Sequence, residues 1–174
     1  MIETERLILR PFREADFPAW YAVFSDPGII RTYGGGLYKD KAEARDKFCA
    51  HALGNDKKYA ITLKENDRVI GEINAADPNP WVKIQPALRD RRGVSLSFAV
   101  LPAFQGKGYA TEAAKAVMDF CFARGDEYVN AGFFRGNGSS EAVQKKLGLA
   151  FFGEHTYTRG GVTVDVVENI RWNT

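Results

Sequence analysis

Residues 94–124 read VSLSFAVLPAFQGKGYATEAAKAVMDFCFAR, and two hydrophobic periods meet inside them. Val94 to Val100 alternates, placing Leu96, Phe98 and Val100 on one face, the pattern of a strand. Pro102 has no N–H to give to a ladder, so regular pairing is expected to end near Leu101. From Gly108 to Arg124 the apolar residues Ala110, Ala113, Ala114, Val117 and Cys121 recur at helical spacing, with Glu112, Lys115 and Asp119 opposite. Gly125 supplies the stop. A helix beginning at Gly108 leaves its first amides unpaired and carries partial positive charge there. Gly106 and Gly108 lack the β-carbons that keep an anion away, and Lys107 adds a formal charge. Such a turn suits a phosphate or pyrophosphate. Thr111 stands where GxGxxG needs its third small residue, and no GxxxxGK[ST] string occurs, so neither dinucleotide nor Walker fingerprint is present. A ligand-free strand-to-helix turn has the same local sequence.

Working outward, residues 4–12 alternate as a first strand with Leu7 and Leu9 on one face, and residues 15–24 form an amphipathic helix that stops near Asp26-Pro27-Gly28. Gly34-Gly35-Gly36 marks a loop, and a second helix runs from Asp40 to Leu53. Tyr59–Leu63 and Val69–Ala75 read as a hairpin across Glu65-Asn66-Asp67. The segment 77–92, DPNPWVKIQPALRDRR, is a long irregular connection with three prolines, either a surface excursion or a binding loop. Tyr128–Phe134 is a strand and Ser139–Leu147 a short helix. Phe151–Tyr157 and Val162–Trp172 close the chain as a hairpin around Arg159-Gly160-Gly161. The middle strand–helix–strand unit implies one parallel pairing inside an otherwise antiparallel sheet, hence a mixed α/β (α+β) layer fold. A length of 174 residues fits one domain, 1–174.

A composition of 45% apolar and 26% charged residues is that of a soluble globular protein. The net charge of +2 is too small to argue for nucleic acid or an anionic membrane surface. No apolar run approaches the roughly 18 residues of a membrane span. The opening MIETERLILRPF is charged from its third residue, which favours the cytoplasm. Cys49 and Cys121 form no CxxC and read as free thiols, and with only His51 and His155 available no metal site is expected.

Pro102 followed by Gln105-Gly106-Lys107-Gly108-Tyr109-Ala110 matches the [RQ]-x-x-G-x-[GA] signature of the GNAT N-acetyltransferases. Asn137 to Leu149, NGSSEAVQKKLGL, resembles that family's second motif, N-x-x-[AS]-x-x-x-x-x-K-x-G-[FL]. The opening IETERLILRPFREAD looks like the branch that acetylates ribosomal-protein N-termini, and the resemblance runs from Glu3 to Trp172. It implies a mixed central sheet of about seven strands flanked by about four helices. It also implies transfer of an acetyl group from acetyl-CoA to a primary amine within a ternary complex, with no metal. The partner is an amine acceptor, a peptide N-terminus or a small molecule, and the chain is a monomer or homodimer. A CoA-binding protein of this fold without transferase activity is the rival reading.

Carried over, the pyrophosphate falls on the backbone amides of Gln105, Gly106, Lys107, Gly108, Tyr109 and Ala110, with Thr111 beside them. The pantetheine arm pairs with the strand backbone at Phe98, Ala99 and Val100. Asn137 and Ser140 are further cofactor contacts, though Asn137 also fits a plain helix-entry position. Relatives often place an acidic tyrosine where Gln144 stands, so Ser140 becomes the acid that protonates the departing thiolate. A thiol's pKa of about 8.5 makes a strong acid dispensable. Relatives often carry a glutamate at the position of Ser95, which cannot act as a base. Glu72 is the first alternative, followed by Asp90 and Glu154. Neutralising a lysine-like amine at pH 7 costs roughly 4–5 kcal/mol, against roughly 1 for an α-amine, so a site without an evident base leans toward a low-pKa amine. The acceptor is expected between residues 34–36, the 77–92 segment and the final hairpin, with Trp81 and Arg159 as lining residues.

Overall fold

The computed structural model describes residues 1–33, 38–159 and 161–174, with Arg159 described by its backbone alone. The chain forms two compact units, Met1–Asn74 with Phe98–Ala116 and Ala75–Ser97 with Val117–Thr174.

In the first unit, β1 (Ile2–Glu3) pairs antiparallel with β2 (Leu7–Arg10), and β2 with β3 (Lys58–Leu63). β3 pairs antiparallel with β4 (Val69–Ala76) around a turn in which Asp67 adopts a positive φ of 53°. The helices α1 (Phe17–Phe24), α2 (Pro27–Tyr33) and α3 (Lys41–His51) supply an aromatic core. Phe12, Phe17, Trp20, Phe24 and Phe48 are all buried there, and the Trp20 ring lies 5.3 Å from Phe48 and 4.9 Å from Phe24. Tilted rings at such separations add to the large area each aromatic buries. Asp40 caps α3 by accepting from the Glu43 amide at 2.9 Å, and Glu43 reaches back to the Lys39 amide.

Among the described residues of this unit, one ion pair has both side chains buried. The Arg10 guanidinium donates to both Asp16 oxygens at 2.7 and 3.0 Å, and its Nε donates to Asp67 at 2.9 Å. Arg13 donates to the other Asp67 oxygen. The hydrogen bonds to Asp16 hold the Arg10 pKa above its usual value against the opposing effect of burial. The hydrogen bond from Arg10 holds Asp67 below the usual carboxylate range. β2, the turn at residues 14–16 and the β3–β4 turn are thereby tied to one cation.

In the second unit, the first residues of β5 (Gly93–Val100) pair in parallel with β6 (Tyr128–Phe134), from Gly93↔Tyr128 to Ser95↔Asn130. The pairing stops there although both strands run on. β6 pairs antiparallel along its length with β8 (Val162–Trp172), and β8 with β7 (Ala150–Arg159). Short α4 (Pro80–Lys83) begins at the Asn79 cap, and Val82, Leu88, Tyr128 and Ile170 form the core beside it. α5 (Tyr109–Ala123), whose residues to Ala116 belong to the first unit, buries Ala113, Ala114, Val117, Met118 and Cys121, and Gly125 follows with a φ of 94°. α6 (Gly138–Lys146) starts at Asn137. The strand order is β1-β2-β3-β4-β5-β6-β8-β7, so the expected mixed sheet is present.

Three expectations change. The strands number eight rather than about seven, because the two-residue β1 adds an edge. Among the described residues there are six α-helices rather than about four. The first helix ends at Phe24, close to Asp26-Pro27-Gly28 as expected, but an unexpected helix, α2, opens at Pro27, where Asp26 accepts from the Ile29 amide at 3.0 Å. Pro80 does the same for α4 inside the 77–92 segment, which is therefore less irregular than its composition implied. Gly34–Gly36 lie outside the described residues.

Arg10→Ala is expected to cost about 3–5 kcal/mol, since it strands Asp16 in the interior. Asp67→Asn, at a half-exposed side chain, is expected to cost no more than about 1 kcal/mol. Urea denaturation of the two variants tests the ordering. Burial also pushes the Cys121 thiol up to about 11, whereas Cys49 is exposed. Iodoacetamide at about pH 8 should modify Cys49 alone in the native protein and both thiols after unfolding, read by mass spectrometry.

Candidate functional site

In the first unit the strand-to-helix junction is built by a few backbone anchors. Leu101 donates to the Ile70 carbonyl at 2.8 Å, ending β5 regularly, and Pro102–Phe104 then form one tight helical turn. Gly106 and Gly108 follow with φ of 74° and 84°, and α5 starts at Tyr109. A β-carbon at Gly106 meets nothing within 4 Å, so glycine is needed there for its backbone conformation and not for space inside the fold. Residues 105–108 are exposed. Their side chains turn back on the protein. Gln105 donates to the Val100 carbonyl at 2.7 Å, and the Lys107 ammonium donates to Ala103 at 3.0 Å above the Phe104 ring.

Glu112 sits in the first turn of α5, where its charge belongs electrostatically but where it competes with any external anion. It is fully engaged. Its Oε1 accepts from the Thr4 hydroxyl at 2.6 Å and the Arg6 amide at 2.9 Å, and its Oε2 from the Arg6 guanidinium at 2.7 Å. Burial works to raise its pKa, and the hydrogen bonds from Thr4 and Arg6 outweigh this and hold it below the usual carboxylate range. Arg6 also donates to the Lys107 carbonyl at 3.0 Å and lies over the Tyr109 ring. Arg6 thus joins the glycine turn, the helix start and the N-terminal segment. Chemically this leaves an exposed, anion-compatible loop at a helix N-terminus whose own carboxylate has been neutralised.

Phe98 is half-buried, while Ala99 and Val100 are buried. Their side chains serve the core, and any ligand contact from this stretch is a backbone contact. Gly71 on β4 permits the close approach, since a β-carbon there falls 2.2 Å from the Ala99 carbonyl oxygen. Glu72 also lies in this unit. It is 1% exposed and accepts from Trp20 Nε1 at 2.9 Å, with Lys58 Nζ at 3.4 Å. Those partners commit its carboxylate to local structure.

In the second unit Asn137 accepts from the Ser140 amide at 3.3 Å, as a cap does. Behind it runs a chain of side chains. Asn169 donates to Gln144 at 2.9 Å, and Gln144 donates to Ser140 Oγ at 3.2 Å. Gln144 is fully buried, and its neighbour Val143 is half-buried. A serine oxygen that already accepts keeps its own hydrogen to donate elsewhere. Asp90 is exposed, and exposed Glu154 pairs with Arg135. The Arg159 side chain lies outside the described residues.

Sequence reasoning passed over a buried, well-connected carboxylate. Glu168 on β8 is 1% exposed and accepts three hydrogen bonds. Asn79 and His155 Nε2 reach its Oε1 at 2.7 and 3.0 Å, and Asn130 its Oε2 at 2.9 Å. Ser95 in turn donates to Asn130 at 2.6 Å. Trp81 stacks on His155, ring centroids 4.8 Å apart. The only sequence signal was a glutamate amid the apolar run of a closing strand. Among the described residues no cluster of three or more His, Cys, Asp or Glu is arranged to hold a metal ion.

Known proteins share this architecture. YnaD of Bacillus subtilis, an N-acetyltransferase, is 26% identical over 149 residues, covering 85% of this chain and 81% of YnaD. The ribosomal L7/L12 α-N-protein acetyltransferase RimL, solved with coenzyme A, superposes with a TM-score of 0.76 at 19% identity, covering 97% and 95% of the two chains. Spermidine N-acetyltransferase from Vibrio cholerae, solved with CoA and spermine, gives a TM-score of 0.78 at 15% identity, covering 98% and 97%. These two likenesses establish the fold. Residues 6–150 match the acetyltransferase (GNAT) domain, most of the chain, and the protein belongs to the GNAT acetyltransferase family.

Proposed function

We propose that this chain, as a single domain, transfers the acetyl group of acetyl-CoA to a primary amine by direct attack of the neutral amine on the thioester. The observation that carries the proposal is the glycine turn, with two positive-φ glycines and exposed backbone before α5, and with Glu112 drawn away by Thr4 and Arg6. In this reading the pyrophosphate sits on the backbone of Gln105 to Thr111, where the Gln105 amide already donates to the Pro102 carbonyl at 3.2 Å and the later amides serve the anion, and the pantetheine arm follows the backbone of Phe98, Ala99 and Val100. Asn137 contributes a further cofactor contact. Ser140, whose Oγ accepts from Gln144, is the acid that protonates the departing sulfur. Backbone N–H groups near Phe98–Val100 polarise the thioester carbonyl. Glu72, the base candidate read from the sequence, is held by hydrogen bonds from Trp20 and Lys58.

Two acceptor classes fit. The opening ETERLILRPF favours a protein N-terminal α-amine, as acetylated by RimL, while the spermidine enzyme shares the same fold. The small penalty for neutralising an α-amine favours the first.

Incubation with acetyl-CoA and a panel of N-terminal peptides and polyamines should release free thiol with at least one acceptor. Thiol release with none, from folded protein, would sink the transferase reading and leave a CoA-binding protein. Gly108→Glu places bulk and negative charge at a φ of 84° in the anion loop. Acetyl-CoA affinity, measured by calorimetry, should fall at least about 100-fold. Undiminished affinity would show that the cofactor binds elsewhere.

A further inference from the structure

Ser95 leaves β5 without a carboxylate, yet a hydrogen-bonded path leads from it to one. The Ser95 hydroxyl donates to Asn130, Asn130 donates to Glu168, and His155 and Asn79 donate to the same carboxylate. We infer that the Glu168–His155 pair is the proton acceptor for the attacking amine, supplied from β8 and β7 in place of a β5 side chain. The inference rests on the acetyltransferase reading above.

Four observations converge on it. First, a carboxylate 1% exposed is costly to bury, and the hydrogen-bond partners of Glu168 include no lysine or arginine. Asn79 and Asn130 are neutral, so the titratable group facing it is the imidazole of His155. Second, His155 is arranged to hold an added proton. Its Nε2–H is given to Glu168, and Nδ1 lies 3.2 Å from the Thr156 carbonyl oxygen, an acceptor with no use for a lone pair. The Trp81 ring, stacked at 17°, favours a cation beneath it. The nearby charges of the same hairpin, Glu154 and Asp165, face Arg135. Third, the His155 side chain keeps 16% exposure, so the proton has a way out to solvent. Fourth, β6 is open beside the carboxylate. Gly132 is exposed, and a β-carbon there would stand 2.9 Å from Glu168 Oε1. Two elements expected to line the acceptor, the 77–92 segment through Asn79 and Trp81 and the final hairpin through His155, meet at this carboxylate.

The proton count closes. An ammonium acceptor loses two protons from nitrogen as the N–C bond forms and the C–S bond breaks, with the bonding electrons leaving on sulfur. One proton ends on the CoA sulfur. The other is taken by the pair, at His155 Nδ1, and passes to solvent.

The test is the pH profile of kcat/KM for the best amine, in wild type, His155→Gln and Glu168→Gln. Wild type is expected to gain activity as pH rises. His155→Gln should lose about 100-fold in kcat/KM, with that rising limb flattened and the KM for acetyl-CoA unchanged. Glu168→Gln should act in the same direction, and if it fails to fold, His155→Gln decides alone. A His155→Gln enzyme with wild-type rate, or one slowed with its pH limb intact, overturns the inference. Wild-type turnover in the same assay secures the underlying function, whereas a wild type silent on every amine overturns that function and the inference with it.

Discussion

The amides that open α5 have no partner within their own helix, and the first unit is arranged around leaving them so. A helix start is commonly quieted by its own residues, through a capping side chain or an acidic first turn. Here the acidic residue is present in Glu112 and is claimed by Thr4 and Arg6 from the other end of the unit's sequence. Gln105 and Lys107 spend their donors on carbonyls behind them. What stays exposed is the glycine turn, residues 105–108, at the positive end of the helix dipole. The N-terminal segment, remote in sequence from the turn, is therefore part of the same electrostatic device.

The second unit solves a different problem, orienting polar groups in the interior with little charge. Side-chain amides do most of this. Asn169 and Gln144 pass a fixed hydrogen-bond direction to Ser140, and Asn79 and Asn130 hold Glu168. An amide offers both donor and acceptor, so it transmits direction along a chain without adding an ion that must be solvated. Tyr128, whose burial raises its pKa, packs in the adjoining apolar core.

Much of this was legible in the residues. The period change from 2 to 3.6 between Val100 and Gly108 located β5 and α5 to within a residue, because glycine and proline punctuate that junction. The strand Tyr128–Phe134 was readable for the same reason. Prolines misled elsewhere. Pro27 marks the end of one helix as read but also begins another, and Pro80 begins a short helix inside a segment read as irregular; both starts depend on the Asp26 and Asn79 side chains turning onto the following amides. The glycine turn was visible as a local string. Glu168 was not, because its importance lies in partners on β6, β7 and the 77–92 segment, contributed by residues up to 89 positions away. Hydrophobic patterning records which face a residue takes and not which polar atoms meet it there.

Gly132 carries a consequence for how this protein can change. Its missing β-carbon is the room into which the Glu168 carboxylate fits. An alanine at 132 would put its β-carbon 2.9 Å from a Glu168 oxygen, so the end of that side chain would have to move, and its hydrogen bonds to Asn79, Asn130 and His155 would move with it. The glycine therefore sets where the carboxylate rests, through an atom that is missing and not through one that is present.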